Sequence, residues 1–387
     1  MLSDDPIDLT VDPRDLLPRV IIDEWLPSED ESILFLFQQF DRYPPCPSNY
    51  IPPPNLQSTL HHNPVQAFDY GSLLKVSPPA LQSFSKTYQD ALKKSKYPIL
   101  SVTLQPYHGD PIRLPAWIFG YWVEIRRVID TRKQWKVALT WVQKYSALPS
   151  AGELCYNLLL GLSSFSWSRG AAYTRDITSL LSNTPGEAYL SSFHIDHMIV
   201  QNKTQYEAQL GPGHTSRCIF ATVDLLGAIT HFYGATYVKK EGHLWNTLME
   251  VENKIITGEV DSFSGVMHLP LHWVSIVINF QQLQILYGDS LGQKMPKHER
   301  CAYERWIGHL ITRSSRTSTQ SEITFDHLPT GYQEDGTSCG LFALNAISHH
   351  HLGYPLLSPD PVALACYRME IALHIISTMT VCIFHTV

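Results

Sequence analysis

The amino-acid sequence predicts an α+β fold in which helices and short strands are mixed along the chain. Short runs of β-branched and aromatic residues, of which Trp273–Phe280 is the clearest, have the composition of buried strands. Other segments, such as His298–Ile311, carry apolar residues at helical spacing. Because both kinds of segment alternate through the second half of the chain, we assign residues 151–387 to one mixed domain.

The first part of the chain differs in composition. Residues 1–60 contain eleven acidic and three basic residues, whereas the rest is nearly balanced and the whole chain has a net charge of -7. Proline clusters such as Pro52-Pro53-Pro54 interrupt helix and strand. We therefore predict an acidic, proline-rich region over 1–110, which is either a flexible leader or a docking segment, and a tryptophan-rich helical lead-in over 111–150.

Individual elements follow from the same periodicities. Helices are predicted over Ser28–Phe40 (with Ser28 as N-cap), Pro78–Lys96, Trp122–Trp141, Gly152–Leu162, Tyr173–Leu181, Phe193–Val200, His243–Val251, His298–Ile311, Gly340–His350 and Val362–Met379. Strands are predicted over Val266–His268, Trp273–Phe280, Gln284–Tyr287 and Ile323–Leu328, with a Ser/Thr-rich loop over Ser314–Ser321.

Charge and cysteine content exclude several functional classes. The chain has no basic run or stripe, so direct binding of nucleic acid is not expected. No signal peptide and no membrane-spanning run are predicted. The seven cysteines form no C-x-x-C pair, which argues against disulfides and a cysteine-rich zinc site. These features predict a reducing compartment, the nucleus or the cytoplasm.

Three short segments together suggest nucleophilic catalysis. His272 precedes the Trp273–Phe280 strand, Asp289 follows the next strand, and Cys339 precedes a helix. A cysteine at a helix N-terminus is favoured as a thiolate, since the dipole and free amides there stabilise negative charge. An imidazole accepts the thiol proton, and a carboxylate on its other ring nitrogen fixes the tautomer. We therefore predict Cys339 as nucleophile, His272 as base and Asp289 as its orienting group.

Acyl transfer also needs donors for the oxyanion of the tetrahedral intermediate. Gln333 lies six residues before Cys339, in the loop that leads to the nucleophile. Its side-chain amide and the backbone N–H of Cys339 are the predicted pair of donors.

These segments resemble the ubiquitin-like-protein-specific cysteine proteases, also called SUMO or sentrin-specific proteases. The resemblance is carried by His272-Trp273, Asp289-Ser290-Leu291, Gln333 and Ser338-Cys339-Gly340, in that order. It covers roughly residues 150–380. Two positions depart from the family pattern, because Tyr189 and Thr337 stand where the family usually has tryptophan.

The resemblance implies a papain-like cysteine protease fold, with helices packed around a small mixed β-sheet. It implies cleavage after the C-terminal glycine of a ubiquitin-like protein such as SUMO, in precursors or in conjugates. Trp273 and Tyr189 would then line the tunnel for the glycine tail. The family uses no metal or cofactor, and neither a metal nor a membrane is expected here.

Other interpretations remain open. The run His349-His350-His351 suggests metal binding, but consecutive histidines on a helix cannot all face one ion, so a polar helix end is favoured. A catalytically silent binding module would retain the same fold. A transposon- or virus-type processing protease would retain the chemistry with another substrate.

Overall fold

The structure is a computed structural model that describes residues 17–38, 60–65, 101–104, 111–181, 189–234, 238–314 and 322–381. The chain divides into two compact units. One is built from the described residues up to 136 together with 160–175. The other is built from 137–159 and the described residues from 176 onward. The predicted helix Pro78–Lys96 and most of the Ser314–Ser321 loop lie outside the described residues.

The first unit contains a small antiparallel sheet, in which β2 (Ser101–Leu104) pairs with both β1 (Leu60–His61) and β3 (Ile112–Pro115). Its first helices are α1, over Arg19–Trp25, and α2, over Ile33–Gln38. The prediction that Ser28 is the N-cap of the second helix was wrong. The helix begins one turn later, after Ser32, whose hydroxyl accepts a hydrogen bond from the backbone N–H of Phe35 at 3.1 Å.

Three helices contribute residues to both units. They are α3 (Ile118–Ser146), α4 (Pro149–Ser164) and α5 (Trp167–Leu180). The tryptophan-rich segment is thus one continuous helix. The predicted boundary between residues 150 and 151 falls within the first turn of α4, and the domain division of the sequence stays a prediction.

The second unit is organised around a mixed five-stranded sheet with the order β4-β5-β6-β7-β8. The strands are β4 (Cys218–Ala221), β5 (Ser262–Leu269), β6 (His272–Asn279), β7 (Gln284–Gly288) and β8 (Thr324–His327). The outer pairs are parallel, and the inner pairs β5-β6 and β6-β7 are antiparallel. The α+β prediction with a small mixed sheet is confirmed, and β4 was not predicted as a strand.

Helices surround this sheet. They are α6 (Ser192–Leu210), α7 (Val223–Gly234), α8 (His243–Thr257), α9 (Lys297–Arg313), α10 (Cys339–Leu352) and α11 (Pro361–Val381). Consecutive residues of β5 and β6 are buried, so both faces of the sheet are covered. Val274, Ile276 and Ile278 share a core with α7, α8 and α9. The opposite face meets α10, where the hydroxyl of Ser264 lies 2.7 Å from Nε2 of His351.

The sheet places the ends of its central strands together. Since β6 runs antiparallel to β7 and Ser275 pairs with Gly288, the start of β6 and the end of β7 lie at one edge. Gly288 allows the close approach there, because a Cβ at this position would overlap the hydroxyl of Ser275 and lie 3.2 Å from the carbonyl oxygen of Leu328. His272 and Asp289 are thereby brought to the same end of the sheet.

The last helix confirms the predicted helix Val362–Met379 and extends it slightly in both directions. Its Pro361–Met379 segment is long and apolar enough to cross a membrane by length and composition, as core helices of soluble proteins also are.

Candidate active site

Cys339 is the first residue of α10, directly after the N-cap Ser338. Its thiol therefore lies at the positive end of a helix of 14 residues. The residue is 1% exposed. Gly340 allows the tight packing of this turn, since a Cβ there would lie 3.0 Å from the side chain of Leu190. The predicted nucleophile thus lies in a shielded position at the N-terminus of a helix.

His272 begins β6, immediately after the tight turn that joins it to β5. Leu271 in this turn has a φ of 60°, a left-handed conformation that a branched side chain rarely adopts. Leu271 is 88% exposed, so its side chain projects to solvent while the next residue turns inward. The turn directs the His272 ring towards the end of β7.

The His272 ring is bonded to Asp289. Nε2 of His272 lies 2.9 Å from Oδ1 of Asp289, whose side chain is 2% exposed. The backbone N–H of Leu291 donates to the same oxygen at 2.7 Å, and the hydroxyl of Tyr287 lies 3.4 Å from Oδ2. Burial and the adjacent carboxylate raise the pKa of Tyr287 well above its usual range, so this hydroxyl remains a donor. The carboxylate is therefore fixed before any substrate binds.

His272 interacts with both predicted partners. The pKa of His272 is raised to about 9. The hydrogen bond to Asp289 is the largest cause and the interaction with Cys339 the next, and together they outweigh the opposing effect of burial. Because Nε2 is occupied by Asp289, Nδ1 is the ring nitrogen that serves the thiol. The geometry therefore favours an imidazolium that can accompany a Cys339 thiolate at neutral pH.

Gln333 is buried in the loop before α10, and its amide orientation is fixed. The hydroxyl of Ser290 donates to Oε1 at 2.9 Å, while Nε2 donates to the carbonyl oxygen of Asp335 at 2.6 Å. A carbonyl only accepts, so the nitrogen must be the atom facing Asp335. The same nitrogen also lies 3.3 Å from Oδ1 of Asp335, so this residue orients the amide.

Ser290 connects two segments of the site. Its backbone carbonyl also accepts from the N–H of Gln333 at 2.9 Å. Two hydrogen bonds thus tie the segment after Asp289 to the loop before Cys339. The Asp289-Ser290-Leu291 segment consequently positions both the predicted base and the predicted oxyanion donor.

A cleft of about 440 Å³ opens beside His272 and Trp273. Its other walls are formed by the start of α6, the start of α7 and the β5-β6 turn, and the lining residues are Tyr189, Leu190, Ser191, Ser192, Val223, Asp224, His268 and Leu271. The indole N–H of Trp273 donates to the carbonyl oxygen of Leu190 at 2.9 Å, which holds the ring in place. Both aromatic residues predicted to line the tunnel, Trp273 and Tyr189, therefore lie at this cleft.

The structure brings the six predicted site residues into one region. Cys339, His272, Asp289 and Gln333 lie around the nucleophile, and Trp273 and Tyr189 line the adjacent cleft. The structure also adds Asp335, which the sequence analysis missed. An aspartate three residues before a serine, ahead of a helix, is a signal for a side-chain-bonded turn and could have identified it. Their catalytic and binding roles stay predictions.

The comparison with protein families gives one match. Residues 247–359 match the Ulp1 protease family, C-terminal catalytic domain. The matched segment includes His272, Asp289, Gln333 and Cys339. The resemblance seen in the sequence is confirmed for this part of the chain.

Several solved structures are similar to the chain. The C-terminal Ulp1 protease domain in complex with SMT3, the yeast ortholog of SUMO, has 14% identity and a TM-score of 0.39, and the similarity covers 53% of this chain and 81% of that one. The Chaetomium thermophilum Ulp1-like SUMO protease catalytic domain has 14% identity and a TM-score of 0.39. The similarity covers 48% of this chain and 71% of that one. The curated proteins contain no significant match. The family match and the site residues inside it identify a cysteine protease domain similar to the catalytic domain of the Ulp1 family.

Proposed function

We propose that this protein cleaves after the C-terminal glycine of a ubiquitin-like protein, with SUMO as the first candidate, as a peptidase on precursors or an isopeptidase on conjugates. The observation that carries the proposal is the arrangement of Cys339, His272 and Asp289 beside a cleft walled by Trp273 and Tyr189. The family match to residues 247–359 supports the same class of reaction.

The proposed reaction proceeds through an acyl-enzyme. Nδ1 of His272 takes the thiol proton, and the Cys339 sulfur attacks the carbonyl carbon of the substrate glycine. The backbone N–H of Cys339 and the amide of Gln333 bind the oxyanion. Collapse breaks the C–N bond, and His272 returns its proton to the leaving amine. Water then hydrolyses the thioester with His272 as base, which releases the carboxylate and restores the thiol.

The cleft supports a substrate with a slender C-terminal tail. Trp273 is held by its hydrogen bond to Leu190, and the Leu190 side chain also packs close to Gly340 beside the nucleophile. A fixed aromatic wall beside His272 should disfavour bulky side chains on the residues just before the scissile bond. Glycine has no side chain, so a glycine tail fits this restriction.

A panel of ubiquitin-like proteins, each carrying a C-terminal thiol-reactive group, tests substrate and nucleophile together. We expect a covalent adduct with SUMO that is lost in Cys339→Ala and retained in Cys301→Ala, a half-buried cysteine on α9. An adduct with another panel member would keep the mechanism and change the substrate. A reactive Cys339 without any adduct would favour a transposon- or virus-type processing protease.

The choice between the two reactions needs two matched substrates. A SUMO precursor with a C-terminal extension and a SUMO–lysine isopeptide conjugate present the same glycine carbonyl with different leaving amines. Equal kcat/KM on both would support a dual role. A preference for one of them would assign the main reaction.

A catalytically silent binding module is the second candidate, and the 1% exposure of Cys339 is the observation that favours it. Thiol labelling followed by peptide mass spectrometry separates the two. An active Cys339 should react faster than Cys155 and Cys218, which are also buried. Labelling no faster than these two, together with SUMO binding but no cleavage, would support the module.

We further propose that the protein acts in the nucleus or the cytoplasm, because the described cysteines are all unpaired thiols and the mechanism needs one of them reduced. Microscopy of the tagged protein tests this. Accumulation in the secretory pathway would contradict it.

A further inference from the structure

Arg368 is a buried charge that the mechanism above does not use. It lies on α11 and is 6% exposed. Among the described residues, its Nη1 atom has no hydrogen-bond partner. A buried guanidinium is costly unless nearby negative charge compensates it. The position of this arginine therefore calls for a partner of opposite charge.

The loop before Cys339 supplies that charge. Arg368 lines a cavity of about 280 Å³ together with Asp335 and Ser338 of the loop, and with Trp141 and Tyr145 from the last turns of α3. Glu334 also lines it, as the second carboxylate of the loop. The arginine therefore shares a cavity with the loop that leads from the predicted oxyanion donor to the nucleophile.

Asp335 is the centre of the hydrogen bonds in this loop. Its Oδ1 accepts from the backbone N–H groups of Thr337 at 2.9 Å and Ser338 at 2.8 Å, and its Oδ2 accepts from the Ser338 hydroxyl at 2.6 Å. Its own carbonyl oxygen receives the amide of Gln333. Asp335 thus fixes the residue before the nucleophile and the predicted oxyanion donor at once.

The charges of Arg368 and the loop are coupled. Burial lowers the pKa of Arg368, whereas Asp335, Cys339 and Tyr145 act in the opposite direction. For Asp335, burial acts to raise the pKa, but the hydrogen bonds from Ser338 and Thr337 and the charge of Arg368 outweigh it, so the pKa is lowered. The guanidinium therefore favours the ionised form of Asp335.

We propose that Arg368 is a positioning residue of the nucleophile loop, which holds Asp335 as a carboxylate and so fixes Gln333 and Ser338 around Cys339. It acts through the loop and touches no reacting atom. The inference relies on the proposed function only for the role of Cys339 as nucleophile.

Carbamidomethylation of Cys339 by iodoacetamide, measured against pH and located by peptide mass spectrometry, tests the proposal without any ubiquitin-like substrate. Arg368→Met keeps the length of the side chain and removes the charge. We expect its alkylation at neutral pH to be roughly tenfold slower, and the profile to move to higher pH by about one unit, a tenfold change in the ionisation equilibrium. Arg368→Lys should recover most of the rate.

A double-mutant comparison identifies the path of the effect. If Arg368 acts through Asp335, the double variant Arg368→Met with Asp335→Asn should be alkylated no more slowly than the slower of the two single variants. If the two residues act independently, the two reductions in alkylation rate would multiply. Arg300→Met, which removes an exposed arginine paired with Glu304 on α9, is the matched control and should leave the rate unchanged. Thermal unfolding of each variant separates loss of fold from loss of positioning.

Three results would overturn the proposal. They are a wild-type alkylation profile in folded Arg368→Met, an Arg368→Lys variant as slow as Arg368→Met, and independent effects in the double variant. If Arg368→Met does not fold, the folded Asp335→Asn variant provides the test. A wild-type alkylation profile in that variant would also overturn the proposal. Failure to cleave any ubiquitin-like protein would count against the proposed function and leave this test intact.

Discussion

Nε2 of His272 lies 2.9 Å from Oδ1 of Asp289, across the end of two antiparallel strands. The same carboxylate oxygen accepts the backbone N–H of Leu291. This arrangement leaves Nδ1 of the imidazole for the thiol of Cys339. The pair therefore defines the direction of proton transfer in the proposed reaction.

Replacement of the nucleophile should abolish turnover and preserve the fold. Cys339→Ser exchanges the sulfur for a smaller oxygen of much lower nucleophilicity at neutral pH, with little change in packing at the start of α10. We expect no measurable cleavage and an unchanged circular dichroism spectrum. Cys301→Ser is the matched control and should be fully active. A Cys339→Ser variant that keeps most of its activity would disprove the assignment.

Removal of the Asp289 charge should lower the activity and change its pH dependence. The pKa of His272 is raised from 6.5 to about 9, mainly by Asp289, so Asp289→Asn should lower it and move the alkaline limit of kcat/KM to lower pH. Asp326→Asn, which changes a carboxylate on β8 that bonds to Gln284, is the control. An unchanged pH profile in Asp289→Asn would contradict the role of this residue.

The same shift predicts how stability depends on pH. The pKa of His272 is higher in the folded protein, so its contribution to the free energy of unfolding is complete below 6.5 and is lost as pH rises through about 9. Denaturant titrations should therefore show the wild type losing more stability than Asp289→Asn over this range. Equal losses in both proteins would show that the pair does not stabilise the protonated ring.

Gln333→Ala should affect the transition state more than substrate binding. One oxyanion donor is worth roughly 10²-fold in kcat, with KM nearly unchanged. Ser290→Ala should give a smaller loss, because it removes one of the hydrogen bonds that orient the Gln333 amide and leaves the one to Asp335. Gln282→Ala, in the exposed turn between β6 and β7, is the control. A Gln333→Ala variant with the wild-type kcat would remove the amide from the mechanism.

Two leucines in the described part of the chain have left-handed backbones and should respond differently to glycine. Leu271 has a φ of 60° and is exposed, while Leu283 has a φ of 48° and is buried in the core. Relief of strain of about 1–2 kcal/mol should offset the entropy cost of glycine in Leu271→Gly. Leu283→Gly also loses core packing and should be destabilised by about 2 kcal/mol or more.

Leu271→Gly should also raise KM, because Leu271 lines the cleft beside His272. A roughly tenfold increase corresponds to about 1.4 kcal/mol of lost binding. Chemical denaturation and steady-state kinetics measure the two effects separately. A wild-type KM would place the substrate away from this turn.

Many helices and strands of the catalytic domain can be predicted from local sequence patterns. The helix that begins at Cys339, the strand after His272 and the strand before Asp289 each follow from apolar spacing within a few residues. Ser32 replaced Ser28 as the helix cap because two serines of equal capping ability lie four residues apart, and packing decides between them. β4 was not predicted because its short apolar run leads directly into a helix, and spacing alone does not separate a short strand from the start of a helix.

The sequence by itself determined which chemical groups are present and their order, since nucleophile, base, carboxylate and amide are single residues in recognisable local settings. The tertiary structure decided which atoms meet. Ser290 and Gln333 are 43 residues apart, and Trp273 and Leu190 are 83 apart, yet both pairs are hydrogen-bonded. Strand register and helix docking set such distances, and neither is encoded in any short segment. Arg368 shows the same limit, because a lone arginine in an apolar helix identifies no partner until the fold brings the nucleophile loop against it.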